Sequence, residues 1–464
     1  QLPTLHNRKL VTFADSRQDA AVVANSIERE QYTDLMRDII VEQCTLDSHI
    51  DYSAKEQELL DLYADKKDAN DTLNNPQADP RSKRNAQRTL DGIDDEIAAI
   101  KDVLSRTISV NDLIQLTNCR QSPIYKAFHD IYANPAGCDS NNQHFEATES
   151  TEPIEWYKID SAIDNTVGPD KDRLIVNVNT KVGKAIIQNV MKVLFGRLHY
   201  NAESSGIGWV TVAQENAKIQ EILSAANLAD VSEPDLNTYL SCDTFMEIVN
   251  SVIRLIGNAY RYQHNPYSDE VFPRDTDSDF KNLKAKNPIR TYIYACCKKY
   301  GIPHLEKDGR KVLLPNTLGQ AVLNYLQWTG NRQMFLQPHT LRIRCVVSTD
   351  LAYICPHCGR VHLNKSAGVC SGCFQSLDDA RTITVEELRK RTDLMINVVK
   401  DRPACRLHSE ELSGQTDNQG ERQLEFRDIV RIKPEEANSE YIEKARSIDV
   451  LSVTTTMEVG VDIG

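Results

Sequence analysis

The sequence predicts an α/β protein with a mainly helical central region and a metal-binding cysteine cluster. Near each end of the chain a short apolar run with β-branched residues indicates a buried strand, at 9–14 and at 448–453. Between them, charged stretches without proline favour helices, and two closely spaced cysteine pairs indicate a metal site. The chain of 464 residues is long enough for about two to four domains.

Composition argues against several classes of protein. No apolar run reaches the roughly 18 residues that a membrane span needs, and the sequence shows no signal-peptide pattern. Twelve cysteines in 464 residues are too few for a disulfide scaffold. We therefore expect a cytoplasmic protein with reduced thiols and no membrane partner.

The net charge of −13 is unevenly distributed, so it does not exclude nucleic acid as a partner. Residues 51–170 contain 12 Lys and Arg against 23 Asp and Glu, which leaves the rest of the chain at only −2. Residues 281–311 contain nine basic side chains against two acidic ones. The negative net charge therefore comes mostly from residues 51–170. The rest of the chain is nearly neutral and contains one basic stretch, 281–311.

Both predicted terminal strands lead into polar residues. The first is followed by a turn in which Asp15 or Ser16 can cap a helix, and the amphipathic pattern of a helix follows. The last strand is followed by three threonines, 454–456. Open α/β sheets bind their ligands at the carboxyl ends of their strands, where hydroxyls and backbone amides can hold phosphate.

Three segments resemble those of superfamily-two helicases. FADSRQDAA resembles motif IV, and VLSVTTTMEVGVDIG resembles motif V. Between them, RLHSEELSGQTD is similar to a segment of a bacterial group of DEAD/DEAH-type helicases. This group includes DISARM-like phage-defence helicases and relatives of zinc-cysteine DNA-repair helicases. The resemblance covers residues 1–45 and 340–464, and the middle only in patches.

The resemblance implies a parallel-sheet RecA-like lobe, the second lobe of a two-lobed, ATP-driven nucleic-acid motor. It implies that DNA phosphates are contacted by the residues that match the motifs, namely Ser16, Arg17, Gln415, Thr416, Thr454 and Thr455. It also implies that Gly460 and Asp462 lie at the nucleotide cleft. Hydroxyl, amide and guanidinium groups suit a motor that grips backbone phosphates without reading bases.

Parts of such a motor are absent from the sequence. There is no G-x-x-x-x-G-K-[ST] loop, because Val182-Gly183-Lys184-Ala185 lacks both the spacing and the hydroxyl residue. No D-E-x-H segment occurs either. We therefore expect a fragment that is inactive alone and that binds ATP and Mg²⁺ with a preceding RecA-like lobe of the same protein.

The cysteine pairs predict a structural zinc site. Two C-x-x-C knuckles supply four thiolates for a closed tetrahedral site, from Cys355, Cys358, Cys370 and Cys373. Because four thiolates suffice, we interpret His357 and His362 as bystanders. A zinc hydrolase that uses either histidine is disfavoured, since such a site keeps no open coordination position.

The resemblance implies that a large insertion interrupts the lobe. The expected organisation is residues 1–45 as the first part of the lobe, 46–340 as a mainly helical insertion, 341–380 as a zinc ribbon and 381–464 as the second part of the lobe, truncated after motif V. Within the insertion, 53–104 predicts a helical hairpin with Ile93, Ile97 and Ile100 along its seam. A solvated structural hairpin is favoured, and an arm that binds a protein partner is the alternative.

The basic stretch begins a second distinctive part of the insertion, 281–335. The pattern predicts a helix over 291–300, a hairpin around Asp308-Gly309 and a helix over 318–328. This order suits a winged-helix-like DNA contact. A basic, solvated surface on a helical body is the favoured interpretation.

Two functions are compatible with these observations. The first is an ATP-dependent DNA helicase or translocase, to which this chain contributes motifs IV and V. The alternative is a non-catalytic zinc-ribbon scaffold with a vestigial RecA-like lobe that assembles a DNA-processing complex. The motor hypothesis requires the strands that contain Phe13 and Leu451 to adjoin in one sheet.

Overall fold

The structure is a computed structural model of the chain. It describes residues 9–45, 52–104, 106–115, 117–137, 142–146, 152–196, 201–225, 235–264, 288–302, 305–307, 310–312, 318–331, 335–392, 406–413, 416, 418–432 and 439–454. The described helices are α1 (Arg17–Thr45), α2 (Tyr52–Asn74), α3 (Pro80–Leu104), α4 (Val110–Ile114), α5 (Pro123–Asp130), α6 (Ile159–Asn165), α7 (Pro169–Phe195), α8 (Asn216–Ala225), α9 (Cys242–Asn258), α10 (Pro288–Tyr300), α11 (Leu318–Trp328), α12 (Val385–Thr392), α13 (Gln419–Phe426) and α14 (Ser439–Arg446).

The described strands are short, and they form five small sheets. They are β1 (Leu10–Ala14), β2 (Thr107–Ser109), β3 (His144–Phe145), β4 (Ile154–Glu155), β5 (Gly208–Thr211), β6 (Leu305–Lys307), β7 (Arg310–Val312), β8 (Arg342–Cys345), β9 (Leu351–Ile354), β10 (Val361–His362), β11 (Arg381–Thr384), β12 (Ser409–Leu412) and β13 (Val450–Thr454).

The two ends of the described chain meet in one parallel sheet of order β1-β13-β12. Phe13 lies opposite Val453, and Val11 lies opposite Leu451. The expectation that the first and last predicted strands adjoin is therefore confirmed. The central strand β13 is buried along its whole length, as expected of a parallel strand that is covered on both faces.

Helix α1 connects this sheet to the rest of the molecule. It contacts β12 and β13 near the sheet, and it also contacts α5 and α7 of the helical body. Its second half contributes six buried side chains to the main hydrophobic core, those of Tyr32, Leu35, Met36, Ile39, Ile40 and Val41. At 29 residues the helix is about 44 Å long, which allows it to contact both the parallel sheet and the helical body.

The helical body is organised around α7 and α9. Helix α9 is buried on almost every side, and its side chains at core spacing include Phe245, Val249 and Val252, each with no exposed surface. Gly257 permits close helix packing, since a Cβ there would lie 2.2 Å from the Phe195 ring. The antiparallel sheet β2-β8-β5 packs beside these helices.

The boundaries of two helices differ from the sequence pattern. The apolar spacing over 236–262 predicts one long helix. The structure divides it, because Ser241 caps α9 by accepting a hydrogen bond from the amide of Thr244 at 3.2 Å. A short 3-10 turn, Leu236–Thr238, precedes this cap. The amphipathic pattern also predicts a helix over 180–195, stopped by Gly196. Helix α7 begins earlier, at Pro169, and ends before Gly196 as this pattern indicates.

Helices α2 and α3 pack against each other as a helical hairpin, as the sequence indicates. Ile93, Ile97 and Ile100 are buried along the seam. Lys66 of α2 pairs with Asp94 of α3 across the hairpin.

The described residues of the segment 281–335, which begins with the basic stretch, form α10, the hairpin β6–β7 and α11. Helix α10 buries Tyr292, Ile293 and the adjacent thiols of Cys296 and Cys297 in the main core. Because adjacent cysteines cannot easily bind one tetrahedral ion, the sequence predicts buried thiols here, and burial raises the pKa of both to about 12. Residues 281–287 and the Asp308-Gly309 turn lie outside the described residues, and a winged-helix-like DNA contact remains a prediction.

The cysteine-bearing unit is built on the antiparallel sheet β10-β9-β11. Strand β8, which lies within the range 341–380 expected for a zinc ribbon, pairs instead with β2 and β5 of the helical body. The unit is thus continuous with the body on its amino-terminal side. None of the described helices combines the length and the apolar character needed to cross a bilayer.

Candidate metal centre and sheet-edge site

The carboxyl ends of all three parallel strands lie at one edge of the sheet. Ala14 at the end of β1 lies opposite Thr454 at the end of β13, and Leu412 at the end of β12 lies opposite Val453. Residues that follow these strands therefore converge at this edge. In open α/β sheets, this is where ligands bind.

Ser16 and the start of α1 follow β1 directly. The Ser16 hydroxyl accepts a hydrogen bond from the amide of Asp19 at 3.2 Å and donates to the Asp19 carboxylate at 2.7 Å. Ser16 thus acts as a helix cap, as expected from the sequence. The cap fixes the amino end of α1 at the carboxyl edge of the sheet.

The Glu411 side chain joins two of the motif-like segments, FADSRQDAA and RLHSEELSGQTD. Its Oε1 accepts a hydrogen bond from Arg17 Nε at 3.1 Å, and the Thr416 hydroxyl lies 3.4 Å from the same oxygen. The hydroxyl of Thr416 also accepts a hydrogen bond from the amide of Ser413 at 2.8 Å. The Arg17 side chain remains 53 % exposed, so its guanidinium is held in place yet accessible.

The structure brings four of the predicted nucleic-acid residues to this edge, namely Ser16, Arg17, Thr416 and Thr454. The other four predicted residues lie outside the described residues, namely Gln415, Thr455, Gly460 and Asp462. Sequence reasoning missed Glu411, because its role depends on a partner 394 residues away.

The four knuckle cysteines form a cluster that can hold a metal ion. All four sulfurs lie within 4.8 Å of one another. The sulfurs of Cys355 and Cys373 are 3.6 Å apart, and those of Cys358 and Cys370 are 3.5 Å apart. Four sulfurs at about 2.3 Å from one zinc ion lie about 3.8 Å apart, so the cluster nearly has the dimensions of a tetrahedral site.

The two knuckles have equivalent backbone geometry. The amide of Cys355 donates to the carbonyl of Arg360 at 3.0 Å, and that of Cys370 donates to Gln375 at 2.9 Å. Gly359 has a φ of +73°, a left-handed conformation that glycine adopts without strain. Each knuckle is therefore a tight turn that directs its two sulfurs toward the same point.

Hydrogen bonding and burial shift the pKa values of the Cys355 and Cys370 thiols in opposite directions. Burial opposes ionisation of Cys355, yet hydrogen bonds from the backbone at Cys358 and His357 lower its pKa to about 7. Burial raises the pKa of Cys370 to about 12. A bound cation would stabilise the Cys370 thiolate, because coordination deprotonates thiols outright.

The two histidines near the cluster have different environments. His357 is exposed, which agrees with its interpretation as a bystander. His362 is only 1 % exposed, and its Nε2 lies 3.4 Å from the sulfur of Cys370. His362 stands outside the four-sulfur cluster, but its ring contacts the sulfur of Cys370.

A cleft that the sequence did not predict lies at the opposite end of the parallel sheet. It has a volume of about 380 Å³ and is lined by α1, the segment around Trp156 and residues 406–410. Glu28 lines this cleft, and burial raises its pKa to about 7, an effect that the nearby His408 opposes. The guanidinium of Arg406 pairs with Asp449 in the same region, with 3.6 Å between Nε and Oδ2.

No protein-family model, no curated protein and no solved structure matches this chain. Its function is therefore inferred from the residues and contacts described above.

Proposed function

We propose that this chain supplies the second RecA-like lobe of an ATP-dependent DNA helicase or translocase. The observation that carries the proposal is the parallel pairing of β1 with β13, which brings the segments that resemble motifs IV and V together. Those segments are more than 400 residues apart in the chain, by the separation of Phe13 and Val453. If both segments belong to one motor lobe, their strands must lie side by side in the same sheet, as β1 and β13 do.

The chemistry of the sheet edge supports a phosphate-binding role. Arg17 and Ser16 are exposed at this edge and offer a guanidinium and a hydroxyl, whereas Thr416 and Thr454 lie buried near the strand ends. The Arg17–Glu411 pair orients the guanidinium, and a DNA phosphate can replace the carboxylate as its acceptor. Such contacts hold a strand without reading its sequence.

In this proposal, ATP and Mg²⁺ are bound jointly with a preceding RecA-like lobe. Gly460 and Asp462 would face the nucleotide from this chain, while the preceding lobe would supply a phosphate-binding loop. The four-cysteine cluster would hold a structural zinc ion, since four thiolates leave no position for a substrate. A reducing compartment such as the cytoplasm would keep these thiols available for the metal.

The first experiment measures binding of a labelled single-stranded DNA by fluorescence anisotropy over a range of salt concentrations. We expect Arg17→Ala to weaken binding several-fold and to reduce the slope of log K against log salt by about 0.7, the loss of one phosphate contact. Arg29→Ala is the matched control, because Arg29 is exposed on the same helix but lies three turns further along. Equal losses for both variants, or no loss for either, would contradict the assignment.

The alternative function is a non-catalytic scaffold with a vestigial lobe. One observation favours it: Ala367 and Val369, between the two cysteine knuckles, belong to the core of the helical body, as an assembly platform would require. DNA-stimulated ATP hydrolysis by the protein with its preceding lobe separates the two functions. Loss of this activity in Asp462→Ala supports the motor, and unchanged activity supports the scaffold.

A further inference from the structure

The segment between the two cysteine knuckles is built into the helical body. Ala367 and Val369 belong to the main hydrophobic core together with α9 and α10. The hydroxyl of Ser366 lies 2.6 Å from that of Ser251 on α9 and donates to the carbonyl of Val369 at 2.7 Å. The segment that joins the two cysteine knuckles therefore attaches the four-cysteine cluster to the centre of the helical body.

This segment has a strained backbone that the body holds in place. Ser366, Ala367 and Gly368 have φ values of 50°, 51° and 69°, and the first two are residues that rarely adopt this conformation. The Tyr292 hydroxyl donates to the carbonyl of Ser366 at 2.9 Å. The carboxylate of Glu247 accepts from the amide of Ala367 at 2.8 Å.

A chain of buried polar groups runs from the body to the metal cluster. Arg254 on α9 donates from Nη1 to Oε2 of Glu203 at 3.0 Å and from Nη2 to the carbonyl of Val361 at 2.8 Å. Its Nη1 also lies 3.1 Å from Nδ1 of His362. The amide of Leu363 donates to the same Glu203 oxygen at 3.1 Å. Glu203, Arg254 and His362 are each less than 10 % exposed.

The contacts of Arg254 fix which nitrogen of His362 carries the proton. A guanidinium has only donors, so Nδ1 of His362 must accept and therefore carries no hydrogen. The proton of the neutral ring is then on Nε2, which lies 3.4 Å from the sulfur of Cys370. This geometry is that of an N–H···S hydrogen bond to a metal-ligating thiolate.

We propose that Glu203, Arg254 and His362 form a positioning relay that delivers a hydrogen bond to the metal-bound thiolate of Cys370. In this relay Glu203 holds Arg254, and Arg254 fixes the tautomer of His362. Four thiolates around a divalent ion leave an excess of negative charge, which an N–H donor at one sulfur reduces. The relay thereby couples metal binding to the packing of α9 in the body. The inference rests on the metal cluster and is independent of any motor activity.

The test is a competition for zinc between the full chain and a chromophoric chelator. We expect His362→Phe to lower zinc affinity at least about 10-fold, the usual effect of losing such a partner of a metal ligand. His357→Phe is the matched control, because it makes the same change at an exposed histidine beside the cluster. We expect this control to bind zinc within about twofold of the wild-type chain, because no partner of a metal ligand is lost. Equal affinities for the two variants overturn the relay.

A second measurement separates hydrogen bonding from simple filling of space. In the cobalt-loaded chain, loss of the N–H donor raises the energy of the sulfur lone pairs, so the thiolate-to-cobalt absorption band moves to longer wavelength. His362→Gln places an amide N–H near the position of Nε2 and should restore both the band and much of the affinity. If His362→Phe does not fold, Arg254→Met still gives a decision. It removes the donor that fixes the tautomer of His362, so it should lower zinc affinity below that of the wild-type chain. Wild-type affinity and spectrum in Arg254→Met overturn the relay.

The wild-type titration itself distinguishes two kinds of failure. A wild-type chain that takes up neither zinc nor cobalt contradicts the metal site and the relay together. Metal uptake with no difference between His362 and His357 variants contradicts the relay alone. Neither outcome bears on DNA binding at the sheet edge, which the Arg17 variants test separately.

Discussion

Glu28 is a carboxyl group whose protonation is linked to folding. It lies half-buried on α1, near His408 and Glu410 and close to the Arg406–Asp449 pair. Burial raises its pKa from 4.5 to about 7, and the positive charges nearby only partly oppose this. Because the folded-state pKa is above the unfolded value, its stabilising contribution is complete below about pH 4.5 and is lost as the pH rises through about 7.

Glu28→Gln should remove this dependence. We expect the variant to be more stable than the wild type above the folded-state pKa, with the difference shrinking at acidic pH. Urea unfolding at a series of pH values measures the effect. A difference in stability that stays constant over the range would show that Glu28 is not the titrating group.

Two glycines in helices should respond oppositely to the same substitution. Gly257→Ala places a methyl group 2.2 Å from the Phe195 ring, and we expect a loss of about 1–3 kcal/mol from overpacking. Gly92→Ala meets no atom within 4 Å on exposed α3, and we expect a gain of about 0.5–1 kcal/mol. Thermal unfolding of both variants checks the pair, and a Gly257→Ala variant as stable as the wild type would contradict the packing described around Gly257.

At the scale of the elements, we expect the cysteine unit to depend on a bound metal more than the helical body does. The hydrophobic cluster beside β9 and β11 has only six buried members, whereas α7 and α9 share a large continuous core. Such a small cluster cannot offset the entropy of ordering three short strands without a metal crosslink.

Removal of the metal should therefore loosen the cysteine unit first. With a strong chelator, we expect faster amide hydrogen exchange in β9–β11, followed by a lower melting temperature of the whole chain because α9 contacts the segment around Ser366. Readdition of zinc should restore both. Unchanged exchange after complete metal removal would contradict a structural role for the cluster.

The elements that the sequence predicted well are those with a local signal. The apolar runs of β1 and β13, the seam of α3 and the bounds of α11 are visible in windows of a few residues. The spacing of the cysteine knuckles is equally local, and the four sulfurs do cluster. Where helix patterns were extended too far, a capping residue, Ser241, determined the real boundary.

The contacts that the sequence did not reveal join distant parts of the chain. Strand β2 has three residues and pairs with β8, 235 positions away by the Thr107–Arg342 contact. The Arg254–His362 contact spans 108 positions, and nothing in the local pattern distinguishes His362 from His357. Pairing of such short strands is decided by tertiary packing, which single-sequence periodicity does not contain.

At the scale of the whole molecule, the parallel sheet depends on the body between its strands. Strands β1 and β13 are separated by almost the entire chain, so their pairing carries a large cost in chain entropy until the body has folded. Helix α1 reduces this cost, because its second half is fixed in the core while its first half lies on β12 and β13. The sheet edge is thus positioned by a helix anchored in the body.

Amide hydrogen exchange of the full chain, with and without single-stranded DNA, tests the central claim most directly. The claim is that the carboxyl edge of the β1-β13-β12 sheet holds a DNA strand. We expect DNA to slow exchange at the start of α1, around Ser16 and Arg17, and at Ser413 and Thr416 after β12. Slowing confined to the basic segment with α10 and the β6–β7 hairpin, or no slowing anywhere, would contradict the claim.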